Sequence, residues 1–267
     1  MSESDYYAFR RGQERPALAY AELRRLVAEA CISYEREGWF QKHLGKDCVD
    51  DPKDIGAFPL EELGKNIWPP ETLRGLDEDW LLTAVEFLYR NIARPIETQI
   101  HSWSGCGVHV VTADDQRGRA EFRERLNGML RRYSPPYELR ENGEIWQVAP
   151  SGLEDLMPEP IGDVNIDDRV QNAISRYRRH GASEEEKRHA VRDLADVLEY
   201  LRASAGTKLP SKDEGYLFDI ANNFAIRHHN PQQKTQYEAG VWLDWIFYAF
   251  LNAIALTTNL AARPEPD

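Results

Sequence analysis

Residues 222–231, Asn-Asn-Phe-Ala-Ile-Arg-His-His-Asn-Pro, bring together the side chains of this chain best suited to chemistry. Arg227 offers a planar fork of donors that cannot lose its charge and that fits phosphate oxygens. His228 and His229 can take up and release protons near neutral pH. Phosphodiester cleavage needs those two abilities side by side. Pro231 is expected to end a helix here, leaving its last polar groups at a rim. Arg227, His229 and the adjacent His228 are therefore the candidate catalytic set. Asn222, Asn223 and Asn230 are the candidate substrate-binding amides.

Helical geometry sorts this run at about 100° per residue. Leu217, Phe218, Ala221, Phe224 and Ala225 share one arc that should face a core, and His228 falls inside it. A packed histidine with one hydrogen bond is the plainer reading of His228. Asn222 and His229 lie on the opposite arc, beside a polar row of Asn223, Arg227 and Asn230. The plain alternative for that surface is a solvated helix end with capping side chains. Two consecutive amides are, however, poor choices inside a helix. The most basic local run, Arg176-Tyr177-Arg178-Arg179-His180, suits the negative end of a helix dipole. Alternatively, Arg178 and Arg179 supply a phosphate-tracking edge beside His229.

A second constellation lies upstream. His101, Cys106 and His109, with Cys48 further away, are borderline or soft ligands, but their spacing matches no familiar zinc pattern. Buried thiols and hydrogen-bonded histidines are the default; a structural zinc is the alternative, and otherwise no cofactor is expected. Residues 103–107 read equally as a tight turn before a strand at 108–111.

The elements that must position these groups fall into two regimes. Helical spacing runs through 19–43 (Leu23, Leu26, Val27, Ala30, Cys31), through 79–93 with Pro95 as its stop, and through 118–133 (Phe122, Leu126, Leu130). Residues 137–148 read as a hairpin around Asn142-Gly143. A proline- and glycine-rich connector covers 151–162, separating a mixed α+β region at 1–150 from a helical region at 163–267. In the latter, 166–180 stops at Gly181, and Ser183 with Glu184, Glu185 and Glu186 opens a helix reaching about Arg202. Ser211 and Glu214 open a third helix, and a fourth begins near Glu238. Four helices with short connections suggest an antiparallel bundle, so the fold class expected is mainly α.

Composition narrows the function. The net charge of −12 argues against a sequence-blind nucleic-acid coat. From residue 163 onward 13 basic residues face 16 acidic ones, so the helical region is the better polyanion handler. Three cysteines and an amino terminus without basic and apolar segments suggest a reducing cytoplasm. The apolar stretch 241–256 is shorter than the roughly 20 residues of a membrane span and contains Asp244, so no membrane partner is expected. Its Trp242, Trp245, Phe247, Tyr248 and Phe250 offer surface for a subunit interface.

Residues 163–267 resemble the HEPN superfamily of small helical bundles found in toxins and abortive-infection proteins. The resemblance rests on Leu198-Glu199-Tyr200-Leu201-Arg202, on the run from Phe218 through His229, and on the aromatic last helix. Residues 1–150 look like the amino-terminal domains joined to such modules in AbiJ-type phage-defence proteins. The resemblance implies a metal-independent endoribonuclease whose homodimer builds one cleft from two Arg-x4-6-His motifs. RNA would be the substrate, and an antitoxin or regulatory protein a further partner. This chain departs from the motif: no histidine lies five to seven positions after Arg227. If His229 fills the histidine place, Asn222 or Asn223 stands where the arginine belongs, and Arg227 must supply the charge from elsewhere. Non-catalytic members of the superfamily make an interaction module, binding a protein or nucleotide, the rival reading.

Overall fold

The computed structural model describes residues 6–13, 15–45, 57–102, 107–149, 160, 162–205 and 238–261. The described residues are mainly helical, with two antiparallel two-stranded sheets. The chain divides into two compact units, 1–148 and 149–267.

In the first unit, after a short α1 (Tyr7–Arg10), the helix α2 (Tyr20–Arg36) buries Leu23, Val27, Ala30, Cys31 and Tyr34, which share one face at helical spacing. The sequence suggested one helix from 19 to 43. Instead the chain turns at Gly38, whose φ of +80° lies in the left-handed region that glycine tolerates, and restarts as α3 (Gln41–Leu44). α4 (Ala57–Leu63) and a 3-10 turn (Pro70–Gly75) follow. Asp77 then caps α5 (Glu78–Arg90) by accepting the Trp80 N–H at 3.0 Å. That helix stops at Arg90, earlier than the sequence suggested, and Pro95 lies in a strand.

The strands β1 (Arg94–His101) and β2 (Gly107–Asp114) form a ribbon in which Thr98 faces Val110 and Ile100 faces Val108. The register slips between Pro95 and Glu97 and again between Glu97 and Thr98. Next, α6 (Asp115–Leu130) is capped by Asp114 and buries Phe122, Leu126 and Leu130. Gly118 lets α6 approach the chain closely, since a Cβ there would stand 2.5 Å from the Arg94 nitrogen. The second ribbon joins β3 (Tyr137–Leu139) to β4 (Ile145–Gln147), with Gly143 in the turn at a φ of +86°.

Polar side chains finish the edges of these ribbons, which two strands alone would leave unpaired. Gln41 donates to the Val108 carbonyl at 3.2 Å and accepts the Val110 N–H at 2.9 Å. Asn127 does the same for β3, bonding both polar groups of Leu139 at 3.1 and 2.7 Å. Glu86 accepts the Ile145 N–H of β4 at 2.6 Å.

The second unit contains α7 (Val164–Arg178), α8 (Glu184–Ala205) and α9 (Ala239–Ala261). Asp163 caps α7, and Gly181 turns the chain with a φ of +75°. Ser183 and Glu186 form a reciprocal capping box at the start of α8. Both α7 and α9 pack on α8, and Ile174, Val191, Leu194, Leu198, Ile246, Phe247, Phe250 and Ile254 are buried. The stretch Gly240–Asn259 is long and apolar enough to cross a membrane by length and composition. The shorter span read from the sequence therefore understated this helix. Of its aromatic residues, Phe247 and Phe250 face the core, whereas Trp242 and Trp245 are exposed.

Candidate functional site

Asn222, Asn223, Arg227, His228, His229 and Asn230 lie outside the described residues, as do Ser211, Glu214, Cys48, Cys106 and almost all of the expected connector. Of the candidate residues in the second unit, Arg178 and Arg179 are described. Arg178 closes α7, and Arg179, one residue on, donates to Glu186 of α8 at 2.9 Å. Arg176 reaches Asp193 at 2.7 Å. Arg176 and Arg179 thus stitch the α7–α8 corner.

One polar cluster ties the three helices together. Tyr177 of α7 stacks flat on Phe247 of α9, with centroids 3.9 Å apart and planes 10° from parallel. Its hydroxyl donates to Asp244 at 2.5 Å, while Lys187 of α8 stands 3.8 Å from the same carboxylate and 5.0 Å from the Tyr177 ring. Burial pushes the Tyr177 phenol far above its ordinary pKa, and the bond to the Asp244 carboxylate raises it further. Tyr177 therefore stays a proton donor and acts as a lock. Asp244 was visible in the sequence as the charge inside an apolar helix; its partner was not.

This cluster also fixes direction. Tyr177 lies at the end of α7, Lys187 in the first turn of α8 and Asp244 in the second turn of α9. The starts of α8 and α9 therefore meet, and both run opposite to α7. With 22 residues, α8 ends about 33 Å from its start. Residues 206–237 join that far end to the near end where α9 begins.

In the first unit, α6 and the β3–β4 ribbon enclose a groove of about 470 Å³. Arg123 and Asn127 of α6, and Arg131 just past its end, enter it one turn apart, opposite Glu138, Arg140 and Trp146. Glu138 accepts from Arg131 at 3.1 Å and from Arg140 at 2.6 Å. Burial opposes ionisation of Glu138, but those two guanidinium hydrogen bonds outweigh it and hold the carboxyl below its ordinary range. Arg140 also covers the Trp146 ring at 5.0 Å, and Arg123 pairs with Glu141 at 2.8 Å. A neighbouring recess of about 410 Å³ extends the row to Arg119, beside Tyr89 and Gln116. Glu138 and Glu141 line the same row and pair with its guanidinium groups, so an anionic, partly planar ligand would bind here by displacing those carboxylates. The sequence showed α6 only as polar on one side; the contribution of the ribbon was not legible there.

The zinc alternative is only partly visible. His101 and His109 share one face of the first ribbon, with ring centroids 5.3 Å apart and edge to face. Among the described residues no group of three or more metal-ligating side chains converges. His43 instead joins Lys42 in binding the two oxygens of Asp115, at the start of α6. No protein-family model, curated protein or solved structure matches this chain.

Proposed function

We propose that this chain is a two-unit, metal-independent endoribonuclease of phage defence, with the chemistry in the helical carboxy-terminal unit. The observation that carries the reading is the shared direction of α8 and α9, whose starts meet at Lys187 and Asp244. In an up-down four-helix bundle the second and fourth helices run parallel, and a third returns between them. The run with Arg227 and His229 belongs to the stretch joining α8 to α9. His229, with a reference pKa of about 6.5, takes the proton of a ribose 2′-hydroxyl. The 2′-oxygen attacks phosphorus, the bond to the 5′-oxygen breaks, and a second His229 across a homodimer protonates that leaving oxygen. Arg227 stabilises the charge that builds on the non-bridging oxygens. Asn222, Asn223 and Asn230 orient the phosphate. Wild-type chain is expected to cut RNA and leave DNA of the same sequence intact. Replacing His229 with alanine should lower the rate at least a hundredfold. Equal cleavage of DNA, or an unchanged rate in the His229 variant, would overturn the reading.

The arginine-lined groove of the first unit favours one second reading: binding of an anionic ligand without catalysis. A wild-type chain that binds RNA through Arg123 and Arg131 but never cleaves it would establish that reading instead.

A further inference from the structure

The two ribbons expose different amounts of unused hydrogen-bonding edge, and the difference identifies a docking surface. Three of the four outer edges carry a side-chain partner: Gln41 on β2, Asn127 on β3 and Glu86 on β4. Among the described residues no backbone hydrogen bond reaches the outer edge of β1 between Ile96 and Ile100. The edge geometry follows from β2. Gln41 reads the outward polar groups of Val108 and Val110, so the residues opposite them, Ile100 and Thr98, also direct their N–H and C=O groups outward. Among the described residues Thr98 and Ile100 therefore turn open polar backbone groups outward; the register slips leave Ile96 without a partner on β2, and Ile96 and Ile100 are large apolar side chains 54% and 78% exposed.

The sequence of this edge, Ile96-Glu97-Thr98-Gln99-Ile100, is close to a palindrome about Thr98. An antiparallel copy centred there places Thr98 on its own symmetry mate, exchanging two backbone hydrogen bonds. Ile96 then meets the partner's Ile100 on both sides of the axis, covering the two exposed aliphatic side chains. Glu97 meets the partner's Gln99, an acid against an amide, so no like charges oppose one another.

We infer that the outer edge of β1 pairs with the same edge of a second copy of this chain, forming a four-stranded antiparallel sheet across a twofold axis at Thr98. This pairing stands independently of the nuclease reading, because it uses only residues of the first unit.

The charge at position 99 provides the test. In the full-length chain, Gln99→Glu sets an acid opposite Glu97 of the partner subunit at each of two symmetry-related places, whereas Gln99→Lys creates two ion pairs. Sedimentation equilibrium over a concentration series should show a wild-type monomer–dimer equilibrium. The dissociation constant should rise roughly tenfold in Gln99→Glu and fall in Gln99→Lys. Thr98→Pro removes an N–H that the first ribbon does not use, so far-ultraviolet dichroism should be retained while the dissociation constant rises. A chain that stays monomeric, or a dimer that both charges leave unmoved or shift in the same direction, would overturn the inference. Loss of dichroism in Thr98→Pro would leave the two Gln99 variants, whose opposite signs no folding defect reproduces, to decide it.

Discussion

The two ribbons of the first unit have similar topology and opposite surroundings. β3 and β4 are almost wholly buried, with Asn127 and Glu86 on their outer edges and Glu138 held between two arginines. β1 is exposed over most of its length, and β2 is tethered mainly through Gln41. A two-stranded ribbon is marginal by itself in water, so each must borrow stability. The inner ribbon borrows it from α5 and α6 and in return forms one wall of the arginine groove. Among the described residues the outer ribbon borrows on one side only, through Gln41. Burial and edge capping thus separate a structural ribbon from an interacting one.

The largest effect that would test this contrast is expected from Asn127→Ala. The substitution leaves both polar groups of Leu139, a buried residue, without their partner. It should cost roughly 2–4 kcal/mol in urea unfolding, because buried polar groups cannot turn to water. Gln41→Ala makes the equivalent change on the exposed ribbon. Water replaces the amide there, so a loss of about 0.5–1.5 kcal/mol is expected. The same variant should speed hydrogen exchange at Val110 well before the core exchanges. Equal costs for the two substitutions would remove the distinction between the ribbons.

A smaller effect concerns acid. The Glu138 carboxyl is held below its ordinary range in the folded chain, so its contribution to stability is present above the unfolded value of about 4.3. That contribution is lost as the pH falls through the lowered folded value. Glu138→Gln should therefore flatten the acid limb of a stability-versus-pH curve below about pH 4.5. Asp115, at the root of the outer ribbon, is also held low: Lys42 and His43 outweigh the opposing effect of burial. Its side chain is more exposed than that of Glu138, 34% against 12%, so Asp115→Asn should flatten the curve less. A larger effect from Asp115 would reverse the ranking.

The contrast also explains what could be read in the sequence. Short-range signals were legible: the helix start at Ser183 with acids in the first turn, the stop at Gly181, the turn at Gly143 and the apolar faces of α6 and α8 each depend on neighbours a few residues apart. β1 was not legible, because Arg-Pro-Ile-Glu-Thr-Gln-Ile lacks strict alternation and its proline resembled a helix stop. The break of α2 at Gly38 was hidden because apolar residues continue beyond it at Trp39 and Phe40. Contacts over long sequence separations, such as Tyr177 with Asp244 or Arg131 and Arg140 on one carboxylate, have no signature in spacing alone. Of the residues proposed for chemistry, Arg178 and Arg179 are placed; Arg227 and His229 rest on sequence pattern and resemblance.

The chemistry of RNA ends after cleavage decides the functional proposal. Wild-type chain incubated with a labelled single-stranded RNA in excess EDTA should release fragments ending in 2′,3′-cyclic phosphate, the product of attack by the 2′-oxygen. Fragments with 3′-hydroxyl and 5′-phosphate ends, or cleavage that EDTA abolishes, would contradict acid–base catalysis by His229 and Arg227.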